Sequence, residues 1–366
     1  MDIKAAVVNE FGAPLSIETI QLADPKPDEI LVKMVASGIC HTDEAGRMGV
    51  IPFMSRMNYV LGHEGAGIVE AVGSNVTEFV PGDHVAISYP FCGECKPCKD
   101  NKPYACELSK KLSFGGYMPD GTTRLTRETA DGVQDIGMFF AQASFASHTV
   151  VEAKSAVKLD PDFDLTLAGP LGCGLQTGAG IVLNSLKMTP GQSFVVFGCG
   201  AVGMAAIMAA KIAGAETIIA VDIKEKSLAL APELGATHVI NSKEVDDLVA
   251  AIHEIVPTGV DAALETSGMD FLLKAALKSC NYLGKVVTAG NCTIELSMAA
   301  DLGAKSLIGV SEGYSVPKEF IPQLIEYHKQ GLFPIEKLVT TFPFEQINEA
   351  LQALHRSDVI KAVVVM

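Results

Sequence analysis

The sequence predicts an α/β protein in which a β-rich part is followed by a doubly wound parallel sheet, and three observations carry that reading. Short Val/Ile runs punctuated by Pro and Gly fill the first 155 residues: IKAAVV, ILVKMVAS, AGIVEAVG and DHVAIS. From about residue 193 the texture changes to apolar strands, SFVVFG, ETIIAVD, THVIN, VDAALET, GKVVTAG and KSLIGVS, separated by helical patterns. Such alternation implies a parallel sheet with helices on its faces. Finally, a glycine-rich turn, VVFGCGAVG, sits where the first of these strands meets its helix.

The helical patterns differ in clarity. In EVDDLVAAIHEIV, the residues Val245, Leu248, Val249, Ile252 and Ile255 share one face. In EKSLALAPELGA, Pro232 interrupts the pattern and should kink or shorten the helix, because proline lacks the N–H and clashes with the preceding turn. From about residue 312 come two more helices, PKEFIPQLIEYHKQG and EQINEALQALH, and a last strand, IKAVVVM. This tail is expected to fold back on the first part. The predicted domains are therefore 1–174 with 312–366, and 175–311.

The chain has 366 residues, ample for two cores. Its net charge of −15 argues against nucleic acid as a partner, since a phosphate backbone demands a basic surface. MDIKAAVVNEFG shows no secretory pattern, so a cytoplasmic location is expected. The most apolar window, 194–210, spans 17 residues and ends at Lys211. A membrane span needs about 20 apolar residues, so none is expected.

In VVFGCGAVG, Gly198, Gly200 and Gly203 form G-x-G-x-x-G between a strand and a helix. Glycine there lets the backbone approach a pyrophosphate, and the helix N-terminus offers free N–H groups to it. Asp222 ends the next strand, nineteen residues after Gly203. A carboxylate at that place accepts from the ribose hydroxyls and repels a 2′-phosphate, which favours NAD over NADP.

Nine cysteines in a chain of this kind argue against a disulfide framework. Four of them, Cys92, Cys95, Cys98 and Cys106, follow C-x2-C-x2-C-x7-C in a loop rich in Pro, Gly and Lys. A ferredoxin run would continue with three residues and Cys-Pro; this one continues with seven and no proline, so zinc is preferred. Four thiolates close a tetrahedral zinc and leave no place for substrate, which makes such a site structural. Elsewhere stand Cys40 in SGICHTD, His63 in LGHEGAG and Cys173 in PLGCGLQTG. Two Cys and one His would make the open three-ligand site of a catalytic zinc, although spacings of 23 and 110 residues do not by themselves bring them together. Cys199, Cys280 and Cys292 read as core or loop residues.

With these motifs in hand, the chain resembles the zinc-dependent medium-chain alcohol dehydrogenases over essentially its whole length. The resemblance rests on GICHTD, GHEGAGIVEAVG, the four-cysteine loop, GCGLQTG, VVFGCGAVG followed by VDI, and PFEQINEAL, in the family's order. It implies a GroES-like catalytic domain and a Rossmann domain, NAD, and two zinc ions per chain. One zinc would be structural, on the four-cysteine loop; the other would be catalytic, on Cys40, His63 and Cys173. Thr42 would take the alcohol's proton, Asp43 would orient His63, and Glu64 would be an acidic group near the metal. His41, Thr177, Val202, Ile223, Lys226 and Lys361 would join the glycines and Asp222 in binding cofactor, with His41 and Lys361 on the pyrophosphate.

Two positions depart from the family. Ala45 stands where several members place a relay histidine, and Ser227 where some place a ribose-binding lysine, with Lys226 beside it. The stretch EGYSVPKEFIPQLIEYHKQGLFPIEKLV is most similar to the aryl-alcohol branch, which implies primary aromatic or allylic alcohols as substrates. Tyr89, Phe114 and Phe140 are candidates for an aromatic lining. A homotetramer is expected, with a dimer second. Competing readings are a short-chain alcohol or polyol dehydrogenase of the same superfamily, and a non-catalytic redox sensor with Cys40 and Cys173 as reactive thiols.

Overall fold

The structure is a computed structural model and describes residues 1–54 and 58–366. It divides into two compact units: Met1–Cys173 with Val316–Leu324 and Ile335–Met366, and Gly174–Ser315 with Ile325–Pro334.

In the first unit, Asp2–Val8, Ser16–Leu22, Leu125–Thr129, Gly132–Met138 and Tyr59–Val60 close into a small barrel. The barrel is filled by residues of alternate positions, among them Ile20, Leu22, Tyr59 and Ile136. A second sheet orders Ala156–Lys158, His84–Ile87, Glu64–Val72, Glu29–Gly38, Lys361–Val365 and Val339–Pro343, with His148–Glu152 also paired to Glu29–Gly38. Its register is what matters for function. Gly38 lies opposite Glu64 on one side and opposite Val363 on the other. The residues just beyond those strand ends, Cys40 and His63, and the strand start Lys361 are thereby delivered to one corner.

The second unit is a six-stranded, all-parallel sheet ordered His238–Asn241, Thr217–Asp222, Ser193–Phe197, Val260–Glu265, Cys280–Thr288 and Ser306–Gly309. Counted within the unit this is 3-2-1-4-5-6, the doubly wound order that binds dinucleotides at its reversal point. The α/β class and both of its parts are as the sequence predicts, and all six predicted strands are present.

Local departures have physical causes. The helix expected from Val245 starts at Leu248, because the Asp247 carboxylate caps it by accepting from the N–H groups of Val249 and Ala250. Pro232 is held in the last turn of the helix Glu225–Leu234, which Gly235 then ends with φ 128°. Residues 312–315 and 325–334 cluster with the second unit, and Val316–Leu324 with the first. Periodicity reveals a helix but not which core its faces cover. No helix among the described residues is long and apolar enough to cross a membrane.

Candidate active site and metal centres

The four-cysteine loop folds around its own sulfurs. Cys95 stands just before the short helix Lys96–Lys99, and Asn101 takes a left-handed turn at φ 57° before the 3-10 turn Pro103–Ala105 brings Cys106 back. The sulfur of Cys98 lies 3.4 Å from that of Cys95 and 3.9 Å from that of Cys92, and Cys95 and Cys106 are 4.0 Å apart. Zinc–sulfur bonds of about 2.3 Å would set tetrahedral sulfurs about 3.8 Å apart, so the four fit that ion. The N–H groups of Glu94 and Cys95 donate to the Cys92 sulfur (3.4 and 3.3 Å). Burial opposes ionisation of Cys92, but these donors outweigh it and bring the thiol to about 7.

A second cluster, Cys40, His63, Glu64 and Cys173, has its ligand atoms within 4.8 Å of one another. Cys40 leaves the strand end and opens the helix His41–Arg47, while Cys173 follows the turn Gly169–Gly172. That turn packs tightly: a Cβ on Gly169 would fall 2.3 Å from the Glu64 carbonyl. Asp43, fully buried, organises the corner. One oxygen accepts from the Cys40 N–H (2.9 Å); the other meets the Gly62 N–H (3.0 Å) and His63 Nδ1 (2.9 Å).

With Nδ1 so fixed, His63 Nε2 is buried with no hydrogen-bond partner among the described residues. A buried ring nitrogen left over between two thiols and a carboxylate has the donor chemistry of a metal ligand. The Cys173 thiol, and after it His63, outweigh burial and hold Cys40 well below the usual thiol pKa. The Thr42 hydroxyl lies 3.6 Å from the Cys40 sulfur, whereas His41 is exposed.

The resemblance assigns Lys361 to a pyrophosphate; the structure places it on Glu64. Its ammonium is buried and reaches both carboxylate oxygens (2.7 and 2.5 Å) and the Ile39 carbonyl (3.0 Å). Room for the carboxylate comes from Gly38, where a Cβ would stand 2.0 Å from Glu64 Oε2.

Aromatic rings surround His63. Phe140 stacks on it at 4.4 Å and 20°, and Phe139 meets it edge-on at 5.8 Å. Phe114 stands perpendicular to Phe140 at 5.4 Å, while Tyr89 packs with Phe91 at 6.4 Å. Phe139 and Gln142 stand outside the set that the sequence singles out; Gln142 leaves a trace in LGHEGAG, where a Cβ on Gly65 would stand 2.9 Å from its Oε1.

In the second unit, Gly198 takes φ 96°, and a Cβ on Gly203 would lie 1.9 Å from the Gly198 carbonyl. Gly200, the N-cap of the helix Ala201–Ile212, faces open space instead, as a residue that lets a phosphate approach must. The Asp222 carboxylate accepts from the N–H groups of Cys199 (2.6 Å), Ile223 (2.7 Å) and Lys224 (2.9 Å), which aims it at the turn. Val202 lies in the first turn of that helix and Thr177 in the helix Gly174–Gly180. Lys226 is exposed and Ser227 buried. Cys199 and Cys280 are buried and Cys292 is half-buried, with its sulfur 3.3 Å from Glu265.

Comparison with known proteins follows the same division. The alcohol dehydrogenase GroES-like domain model matches residues 26–161, and the zinc-binding dehydrogenase model matches 201–326. A geraniol dehydrogenase of Castellaniella defragrans is 39% identical, covering 99% of this chain and 97% of its own length. Among solved structures, a zinc-binding-domain alcohol dehydrogenase protein from Burkholderia ambifaria superposes with a TM-score of 0.94 at 45% identity, covering 100% of this chain and 99% of the other. Benzyl alcohol dehydrogenase from Acinetobacter calcoaceticus gives 0.93 at 42% identity with the same coverage. With both domain models matched and 39% identity along the whole length of a curated relative, the chain belongs to the zinc-dependent medium-chain alcohol dehydrogenase family.

Proposed function

We propose that this protein interconverts primary aromatic or allylic alcohols and their aldehydes, with NAD as the redox partner. The carrying observation is the set of rings at His63: Phe140 stacked on the imidazole, with Phe139 and Phe114 against it. Such rings favour a flat, apolar substrate end and offer a polyol nothing to hydrogen-bond. The names of two relatives, geraniol and benzyl alcohol dehydrogenase, point the same way.

Cys40, His63 and Cys173 would hold one zinc, and Cys92, Cys95, Cys98 and Cys106 the other. Bound zinc supplies Lewis acidity to an alcohol oxygen and NAD supplies the hydride acceptor. The chain's own residues do the rest. Asp43 keeps a proton on His63 Nδ1, so that Nε2 stays a neutral donor. Thr42 would relay the alcohol's proton, its hydroxyl accepting that proton while releasing its own onward toward solvent, and the phenylalanines exclude water. Asp222 selects NAD by accepting from the ribose and repelling a phosphate.

The test is kcat/KM for benzyl alcohol, cinnamyl alcohol, ethanol and sorbitol, each with NAD and with NADP. Benzyl and cinnamyl alcohol with NAD should lead; a preference for sorbitol or ethanol would overturn the substrate reading. Asp222→Gly should narrow the NAD:NADP ratio, and an unchanged ratio would overturn the cofactor reading.

A further inference from the structure

The segment 140–145 carries three left-handed residues that are not glycine: Phe140 (φ 54°), Ala141 (φ 46°) and Ala143 (φ 54°). Side chains with a Cβ resist that conformation, so its persistence needs support from around it. The hydrogen bonds show what it accomplishes. The Phe145 N–H donates to the Leu61 carbonyl (3.0 Å) and the Ser144 N–H to the Gly62 carbonyl (3.1 Å), so this segment lies main chain to main chain against LGHEGAG.

Beside these bonds stands the side-chain amide of Gln142, which is fully buried. Its Nε2 donates to the His63 carbonyl (3.1 Å) and its Oε1 accepts from the Gly65 N–H (2.8 Å). The amide has the donor and acceptor of a peptide group, and it fills the role of one. The turn that this substitution permits carries Phe140 over the His63 ring. The glycines of LGHEGAG make the room: a Cβ on Gly62 would stand 2.6 Å from the Phe145 nitrogen, and one on Gly65 would stand 2.9 Å from Gln142 Oε1. The same Nε2 also reaches the Ser88 carbonyl at 3.4 Å.

We infer that Gln142 is a positioning residue for the His63 metal ligand, standing in for a strand peptide on one side while Phe140 fixes the ring on the other. The inference rests on the proposal that His63 holds metal. Asp43 sets the tautomer through Nδ1, and Gln142 sets where the main chain presents the ring; both controls are needed to aim Nε2.

The experiment uses the whole protein with cobalt exchanged for zinc, read by the visible d–d absorption of the catalytic site and by metal release to a chelator. Gln142→Met keeps the volume and removes both amide bonds. It should alter the d–d bands and speed release from the catalytic site by about 10–100-fold, the usual effect of losing a group that supports a ligand, while release from the four-cysteine site is unchanged. Should that variant fail to fold, Gln142→Glu keeps the acceptor for Gly65, loses the donor to His63, and should shift the bands in the same way. A lowered melting temperature with parent-like bands and release rates in the folded variant would overturn the inference. A parent protein that takes up cobalt at the four-cysteine loop alone would instead overturn the metal reading beneath it.

Discussion

Replacing Lys361 with methionine separates two roles for that residue. In the structure the Lys361 ammonium sits between Glu64 and the Ile39 carbonyl, and both side chains are buried. Lys361→Met leaves the carboxylate of Glu64 in a dry corner. A bound zinc would not compensate, because two cysteine thiolates already cancel its charge. Removing one partner of a buried pair costs about 3–5 kcal/mol. At about 2–4 °C per kcal/mol for a domain of this size, the melting temperature should fall by roughly 10 °C.

The deficit should also depend on pH. Burial pushes Glu64 upward, and without Lys361 opposing it the carboxyl rises further. A carboxyl with a raised folded pKa contributes stability below the unfolded value, about 4.3, and loses it as pH rises. The variant should therefore be closest to its parent near pH 5 and furthest from it at pH 8. Adding Glu64→Gln removes the stranded charge and should restore most of the loss. The chain has no tryptophan, so unfolding is followed by circular dichroism. A pyrophosphate role alone predicts the reverse pattern: a raised KM for NAD with a melting temperature within about 2 °C of the parent. That result would refute the reasoning from the buried pair.

Three other substitutions probe separate parts of the molecule. Cys92→Ser should lower melting temperature and soluble yield while the folded fraction keeps its other zinc, read by metal analysis; full stability with lost activity would contradict a structural role. Thr42→Ala should cut kcat by roughly 100-fold with both metals retained, and Thr42→Ser should stay active, since a positioned proton-transfer group contributes about that much. Asp120 is exposed; what desolvation it has resists ionisation, but Lys26, Thr122 and Arg124 outweigh this and hold its carboxyl well below the usual range. That stabilisation is present above the unfolded pKa, near 3.9, and fades as pH falls through the folded one. The gap in melting temperature between parent and Asp120→Asn should thus shrink from pH 6 to pH 3, and a constant gap would remove Asp120 from the acid response.

What could be read in the sequence was local. The glycine turn and the four-cysteine loop declare themselves because each is built within a dozen or so residues, from backbone conformations and spacings that few other sequences satisfy. Asp43 and His63 came close to legibility through their flanking motifs, but their bond spans 20 residues and depends on a strand register. The pairing of Glu64 with Lys361 spans 297 residues. It exists because Gly38 stands between two strands, opposite Glu64 in one and Val363 in the other. No periodicity in any single segment encodes that. Gln142 was hidden for a further reason: it works as a backbone group, and nothing in AQASF marks a glutamine as a peptide surrogate. Its trace lay in the partner segment, as glycines at 62 and 65 whose missing Cβ atoms leave space for something to approach. A glycine in a site motif is therefore a statement about its neighbour as much as about its own φ. At Gly38 that neighbour is a carboxylate; at Gly62 and Gly65 it is the segment that aims the histidine; at Gly200 it is open space, where a ligand belongs.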